Sequence, residues 1–347
     1  MQHLERALDR QNQWWKYPVV FILGFFVAGL IGAIPMVAVI AYYTNGDIRP
    51  GALSDPTQYG VPPNLSLLLM LLPFLIGMVI VRGSFMRLHK RSLQETINGT
   101  GTIRWKRFFR GAAVWGSLSL ICFLVDYAIH PGNFKFNFQA SSFIPLVLVS
   151  VLLIPVQASF EEVMFRGYLA QGLAPWTKSR WVVLAIPSLL FGLVHSANPE
   201  IREYGFWLTM PSYILIGFVL GLVSILDDGI EIAMGAHTVN NILGSTLITF
   251  KSSAFATPAL FYQLHVDPVR DLVILVVVSV VFVAVLGRKY QWNYAVLNRK
   301  VQRESVSIPA ENDVRNLGPA LDAPSVTGEE KSPFPSPKNL DHNAYTE

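Results

Sequence analysis

The chain has 347 residues, 52% of them hydrophobic and 14% charged, with a mean hydropathy of +0.41 and a formal net charge of +4. A soluble domain of this length carries about 25% charged residues, so composition excludes an ordinary soluble protein and predicts an all-α, polytopic membrane helix bundle. The single cysteine, Cys122, excludes a disulfide framework or a thiolate metal cluster and reads as a small buried hydrophobe.

Residues 1–17 are polar and basic and read as a cytoplasmic N-terminal segment. The apolar run after them is too long for a signal-peptide core and reads as a retained first span. At about 20 residues per span, eight candidates follow: 18–43, 65–82, 111–130, 143–172, 181–198, 206–226, 230–249 and 270–287. They divide into N-terminal spans (18–130), a core that carries the unusual residues (140–250) and a last stretch (251–303) holding the final loop, the final span and a basic juxtamembrane segment. Residues 304–347 are rich in Pro, Ser and acids and read as a disordered cytoplasmic tail. Trp14, Trp15, Tyr17, Trp181 and Trp292 lie where interfacial anchors are expected. Lys and Arg number eighteen on one set of alternate loops and five on the other, which puts both termini in the cytoplasm.

Charge inside the apolar core is the informative departure. Glu161, Glu162 and Arg166 follow the apolar run 143–160. A charge at bilayer depth costs roughly 2.5–3.5 kcal/mol, so the three together cost about 8–10 kcal/mol unless paired or hydrated. Glu162 and Arg166 stand four apart and share a helical face as an ion pair, whereas Glu161 is turned about 100° away. Phe191-Gly-Leu-Val-His195 ends the fifth span, and His237-Thr-Val-Asn-Asn241 puts His237 and Asn241 on one face of the seventh. The connector near residue 178 is equidistant in sequence from Glu161 and His195, so an antiparallel hairpin sets both at one depth, about 20 Å from the cytoplasmic helix ends.

A carboxylate and an imidazole beside a trapped water can make it a nucleophile, and His237 and Asn241 can donate hydrogen bonds to an oxyanion. Alternatively, Glu161, His195 and His237 form a His₂Glu zinc set with one open position. Blander readings stand beside these. Either histidine can be a helix-packing residue, and Glu162–Arg166 and Asp126 can be structural. His3, His89, His130 and His265 read as solvated, Glu231 as an acid favoured by a helix dipole, and Asn240 as a helix–helix hydrogen bonder.

The ordered set EEVMFRG, FGLVH and HTVNN resembles the EExxxR, FxxxH and HxxxN/D motifs of the CAAX-protease and bacteriocin-processing family of intramembrane proteases, over roughly residues 140–250. The resemblance implies a CAAX-type endopeptidase in which Glu161 activates water with His195 as its partner. His237 and Asn241 would stabilise the oxyanion, and Glu162 and Arg166 would complete the first motif. It leaves open a zinc held by Glu161, His195 and His237 against a metal-free glutamate mechanism. The implied partners are a peptide or membrane-anchored protein substrate and the lipid bilayer, with no nucleic acid. A catalytically silent scaffold or self-immunity protein of the same family is the alternative, and a proton-relay transporter is a third reading.

Overall fold

The computed structural model describes residues 3–8, 12–48, 53 and 55–302. The expected tail, 304–347, lies outside the described residues. Eight principal helices stand where the apolar runs place them: α1 (Lys16–Tyr43), α2 (Pro63–His89), α3 (Trp105–Ile129), α4 (Ala140–Thr177), α5 (Arg180–Val194), α6 (Phe206–Leu226), α7 (Glu231–Thr246) and α8 (Pro268–Tyr290). Six of these are long and apolar enough to cross a membrane, and the chain is an integral membrane protein. Helices α5 and α7 have 15 and 16 residues, about 22–24 Å at 1.5 Å per residue, short of a hydrocarbon core of about 30 Å.

Helix ends follow local chemistry. Ser179 caps α5 by accepting from the Val182 amide, and Asp267 caps α8 by accepting from Val269 and Arg270 with Pro268 as the first helical residue. Seven prolines among the described residues (Pro35, Pro73, Pro145, Pro155, Pro175, Pro187, Pro211) lie inside helices, as neighbouring spans allow. Helix α4 widens into a π-helix at Val163–Leu169, directly after the two glutamates.

The bundle inverts the soluble pattern. Phe26, Leu30, Val79, Leu152 and Val280 are exposed along the spans, while Glu161, Glu162, Arg166, Gln157 and His237 are buried. Helices α3 and α7 approach very closely, because Gly235 sits against the Phe108 carbonyl and Gly111 against the Ile232 carbonyl. A side chain at either would strike backbone, so only glycine permits this contact. Asn240 of α7 accepts from Trp115 Nε1 of α3 at 3.1 Å, the helix–helix bond its sequence position suggests.

The 178–180 turn, the 299–301 strand-like stretch and residues 3–8 share one end of the bundle. Ser179 bridges Lys300, the Val301 amide donates to the Lys178 carbonyl, and Glu5 pairs with Arg180. The other end carries a small sheet of Phe134–Phe136, Phe261–Gln263 and Ile248–Phe250, with the second strand in the centre.

Four sequence expectations need correction. His3 and His89 are buried, not solvated: His3 bonds the Arg166 carbonyl at 3.0 Å and His89 bonds the Tyr168 hydroxyl at 2.8 Å. Tyr17 and Trp292 are core residues instead of interfacial anchors. Tyr17 packs on Tyr168 and His89, and Trp292 donates to Asp227 at 3.0 Å. In each case a residue from a polar or basic stretch is folded back onto the bundle end. Glu231 does start α7, but its carboxylate is held by a two-pronged contact with Arg104 at 2.6 and 2.9 Å. Asp126 is paired with His130 and Arg270.

Candidate active site

The sequence of α4 places Gln157, Glu161 and, one turn on, the π-helix with Arg166 along the bundle interior. Gln157 and Glu161 are four apart, and the Gln157 amide donates to Glu161 Oε1 at 2.5 Å. Gln157 also accepts from Asn241 Nδ2 at 3.0 Å, so one side chain fixes both the carboxylate on α4 and the amide on α7. No sequence motif marks Gln157. Its only signal was a polar residue four positions before a glutamate in an apolar run.

Glu162 faces differently from Glu161, as the helical rotation requires. Its Oε1 takes two donors at 2.8 Å, Arg166 Nη1 and His237 Nδ1. Arg166 also donates to the Gly217 carbonyl at 3.0 Å, and its guanidinium lies 4.1 Å over the Phe191 ring. One ion pair thereby joins α4 to α5, α6 and α7. Charges this deeply buried persist only when their partners satisfy them, and here each partner belongs to a different helix.

That bond assigns the His237 tautomer: Nδ1 carries the hydrogen donated to Glu162, and Nε2 is turned toward the other carboxylate. Glu161 Oε2 lies 3.7 Å from it, beyond hydrogen-bond distance, and has no hydrogen-bond partner among the described residues. A bare imidazole nitrogen and a carboxylate oxygen are both acceptors, so a shared proton or a bridging water is required between them.

His195 caps the C-terminus of α5, where its Nδ1 donates to the Phe191 carbonyl at 2.7 Å. This leaves Nε2 as the unprotonated nitrogen. Its ring stacks on Tyr213 of α6, with centroids 4.7 Å apart and planes 20° apart, and it stands within electrostatic reach of Glu161 and His237. Asn198 donates to the Tyr213 hydroxyl at 2.9 Å. Tyr213 carries no motif, and only its place opposite His195 marks it. Glu161, Glu162, Arg166 and His237 are buried, while His195 and Asn241 are partly exposed, so the cluster opens on their side.

The zinc set of Glu161, His195 and His237 can be tested on this geometry. Among the described residues no three His, Cys, Asp or Glu side chains group around a position for a metal ion. The donors as arranged do not fit a three-ligand site, and no step is routed through one below.

Residues 140–243 match the family described as type II CAAX prenyl endopeptidase Rce1-like. This stretch is similar to that family. It runs from the start of α4 into α7 and contains all six candidate residues, Glu161, Glu162, Arg166, His195, His237 and Asn241. The family is one of CAAX-type intramembrane proteases. Over a longer span the chain is similar to an uncharacterised protein, YyaK of Bacillus subtilis (strain 168), at 29% identity over 295 residues covering 82% of this chain and 95% of that protein. No solved structure matches the chain. Helices α1 to α3 and α8 therefore lie outside the Rce1-like segment.

Proposed function

We propose that this protein is an intramembrane endopeptidase that hydrolyses a peptide bond of a membrane-associated, prenylated or leader-type substrate. The observation that carries the reading is the unpartnered Glu161 Oε2, buried 3.7 Å from His237 Nε2 and flanked by His195. Water in that gap gives a proton to Glu161 as its oxygen attacks the peptide carbonyl carbon. His195, through its free Nε2, orients that water. The resulting oxyanion accepts hydrogen bonds from His237 Nε2–H, when that imidazole is protonated, and from the second hydrogen of the Asn241 amide. As the C–N bond breaks, Glu161 returns the proton to the departing amine. Glu162 and Arg166 touch no reacting atom, and they position His237.

We read both termini as cytoplasmic, because the basic stretches around 82–110, 178–180 and 288–300 lie in helix ends and connections on one set of alternate turns of the bundle. The second reading, a silent scaffold, draws on the same ion pair, because the hydrogen bonds that Glu162 and Arg166 make all go to groups within the bundle. The two readings separate in proteoliposomes presenting a farnesylated CAAX peptide. Glu161→Ala and His195→Ala should each lower cleavage at least about 10³-fold while membrane insertion and thermal stability stay near wild type. Wild-type cleavage by either variant would refute the assignment, and no cleavage by wild type on any membrane-anchored peptide would favour the scaffold.

A further inference from the structure

Residues 3–8 fold back onto the helix that carries the two glutamates. His3, Leu4 and Ala7 are buried, at 1%, 3% and 0% exposure, although the segment is polar and basic in sequence. Polar contacts seat it, among them the Glu5–Arg180 pair. His3 Nε2–H donates to the Arg166 carbonyl at 3.0 Å, the His3 amide donates to Asp228 Oδ1 at 3.0 Å, and the His3 carbonyl accepts from Gln171 Nε2 at 2.8 Å. Arg6 pairs with Glu95 at 2.6 Å, and the same Gln171 amide also reaches the Glu95 carbonyl at 3.0 Å. Leu4 lines a narrow cavity together with Arg166, Val183, Leu184, Gly221 and Ser224.

Arg166 belongs to two sets of contacts at once. Its guanidinium holds Glu162, which orients His237, while its carbonyl is held by His3. The π-helix that contains Arg166 is a rare form, found frequently at functional sites. We propose that residues 3–8 are a positioning element of the catalytic site, with His3 holding the Val163–Leu169 π-helix in the register that lets Arg166 and Glu162 orient His237. Burial holds the His3 imidazole below its ordinary range, helped by Arg104 and opposed by its bond to Arg166, by Asp228 and by Glu231. The ring is therefore neutral, with the single hydrogen on the nitrogen that faces the carbonyl. Its Nδ1 has no hydrogen-bond partner among the described residues, so the ring has one polar task.

The effect on cleavage rests on the endopeptidase reading, whereas the effect on the π-helix does not. Hydrogen–deuterium exchange of the full-length protein in detergent therefore accompanies the cleavage assay. Loss of one such bond is worth about a 2- to 12-fold change. In His3→Ala, exchange across residues 163–171 should rise by about that factor, while residues 270–285 of α8 stay unchanged. His3→Gln, whose amide can donate the same bond, should remain near wild type. Leu4→Asp should raise exchange further, and a synthetic peptide of residues 1–12 added in trans should restore protection. Turnover should fall in parallel with KM unchanged and return with the peptide. Unchanged exchange at 163–171 in both His3→Ala and Leu4→Asp would overturn the proposal, and so would an equal rise over the whole bundle. If wild type cleaves nothing while exchange responds as expected, the endopeptidase reading fails and the positioning contact stands.

Discussion

Glu161 and Glu162 are neighbours with different tasks, and the division comes from one helical step. The step of about 100° turns Glu162 to Arg166 and His237 and leaves Glu161 with a single donor, Gln157. Each acid keeps one oxygen without a hydrogen-bond partner among the described residues, but the other oxygen of Glu162 is held by two donors, Arg166 and His237, whereas that of Glu161 takes only the Gln157 amide. Glu162→Gln keeps the shape but weakens the hold on both Arg166 and the His237 tautomer. Steady-state kinetics should show kcat reduced about 10²-fold with KM little changed, the cost expected of a misplaced catalytic group. A loss as complete as that of Glu161→Ala would instead make Glu162 the proton acceptor. The pairing of Glu162 with Arg166 was legible from their spacing, since four residues on a helix bring side chains together whatever surrounds them. Gln157 and Tyr213 were not, because a lone polar residue in an apolar span carries no signal until its partner on another helix is known.

At the scale of elements, the bundle is locked at the end where residues 3–8 dock. Arg104, just before α3, grips Glu231 at the start of α7, and Arg104 and Arg107 both reach Asp227 after α6, at 3.3 and 2.7 Å. Trp292 beyond α8 donates to the same aspartate. Burial pushes the Asp227 carboxyl up to about 6 against the pull of Arg104, Trp292 and Arg107. Three segments distant in sequence, 104–107, 227–231 and 292, thus meet on two acids. Sequence reading assigned Glu231 to the helix dipole, because its partner lies 127 residues away and nothing local announces it. Arg104→Ala strands the fully buried Glu231 carboxylate and should lower stability by about 2–3 kcal/mol, the smaller part of the buried-pair range because water reaches a third of the Arg104 side chain. A thermal midpoint in detergent within a degree of wild type would show that the cluster bears little load.

For the whole molecule, apolar length and motif order were sufficient to place eight helices and to bring α4, α5 and α7 around one polar cluster. The bilayer is a solvent that rewards the same exposed apolar surface everywhere, so long runs such as 18–43 and 206–226 read correctly without any tertiary knowledge. The failures cluster at the water-facing end. His3, His89, Tyr17 and Trp292 lie in polar surroundings in sequence, yet the fold buries them by docking loops and the leading segment onto helix ends. That docking is a tertiary event with no periodicity to betray it. It also supplies the contact between His3 and Arg166, by which the leading segment meets the helix that carries the two glutamates.

The account depends on Glu161 activating water at a site assembled without a metal. Its most direct test is mass spectrometry of a farnesylated CAAX peptide cleaved in H₂¹⁸O by the purified protein after exhaustive chelation. The expected result is a single ¹⁸O in the new terminal carboxylate from the wild-type protein and intact peptide from Glu161→Gln. Labelled product formed equally by Glu161→Gln, or turnover lost on chelation and restored by zinc, would contradict it.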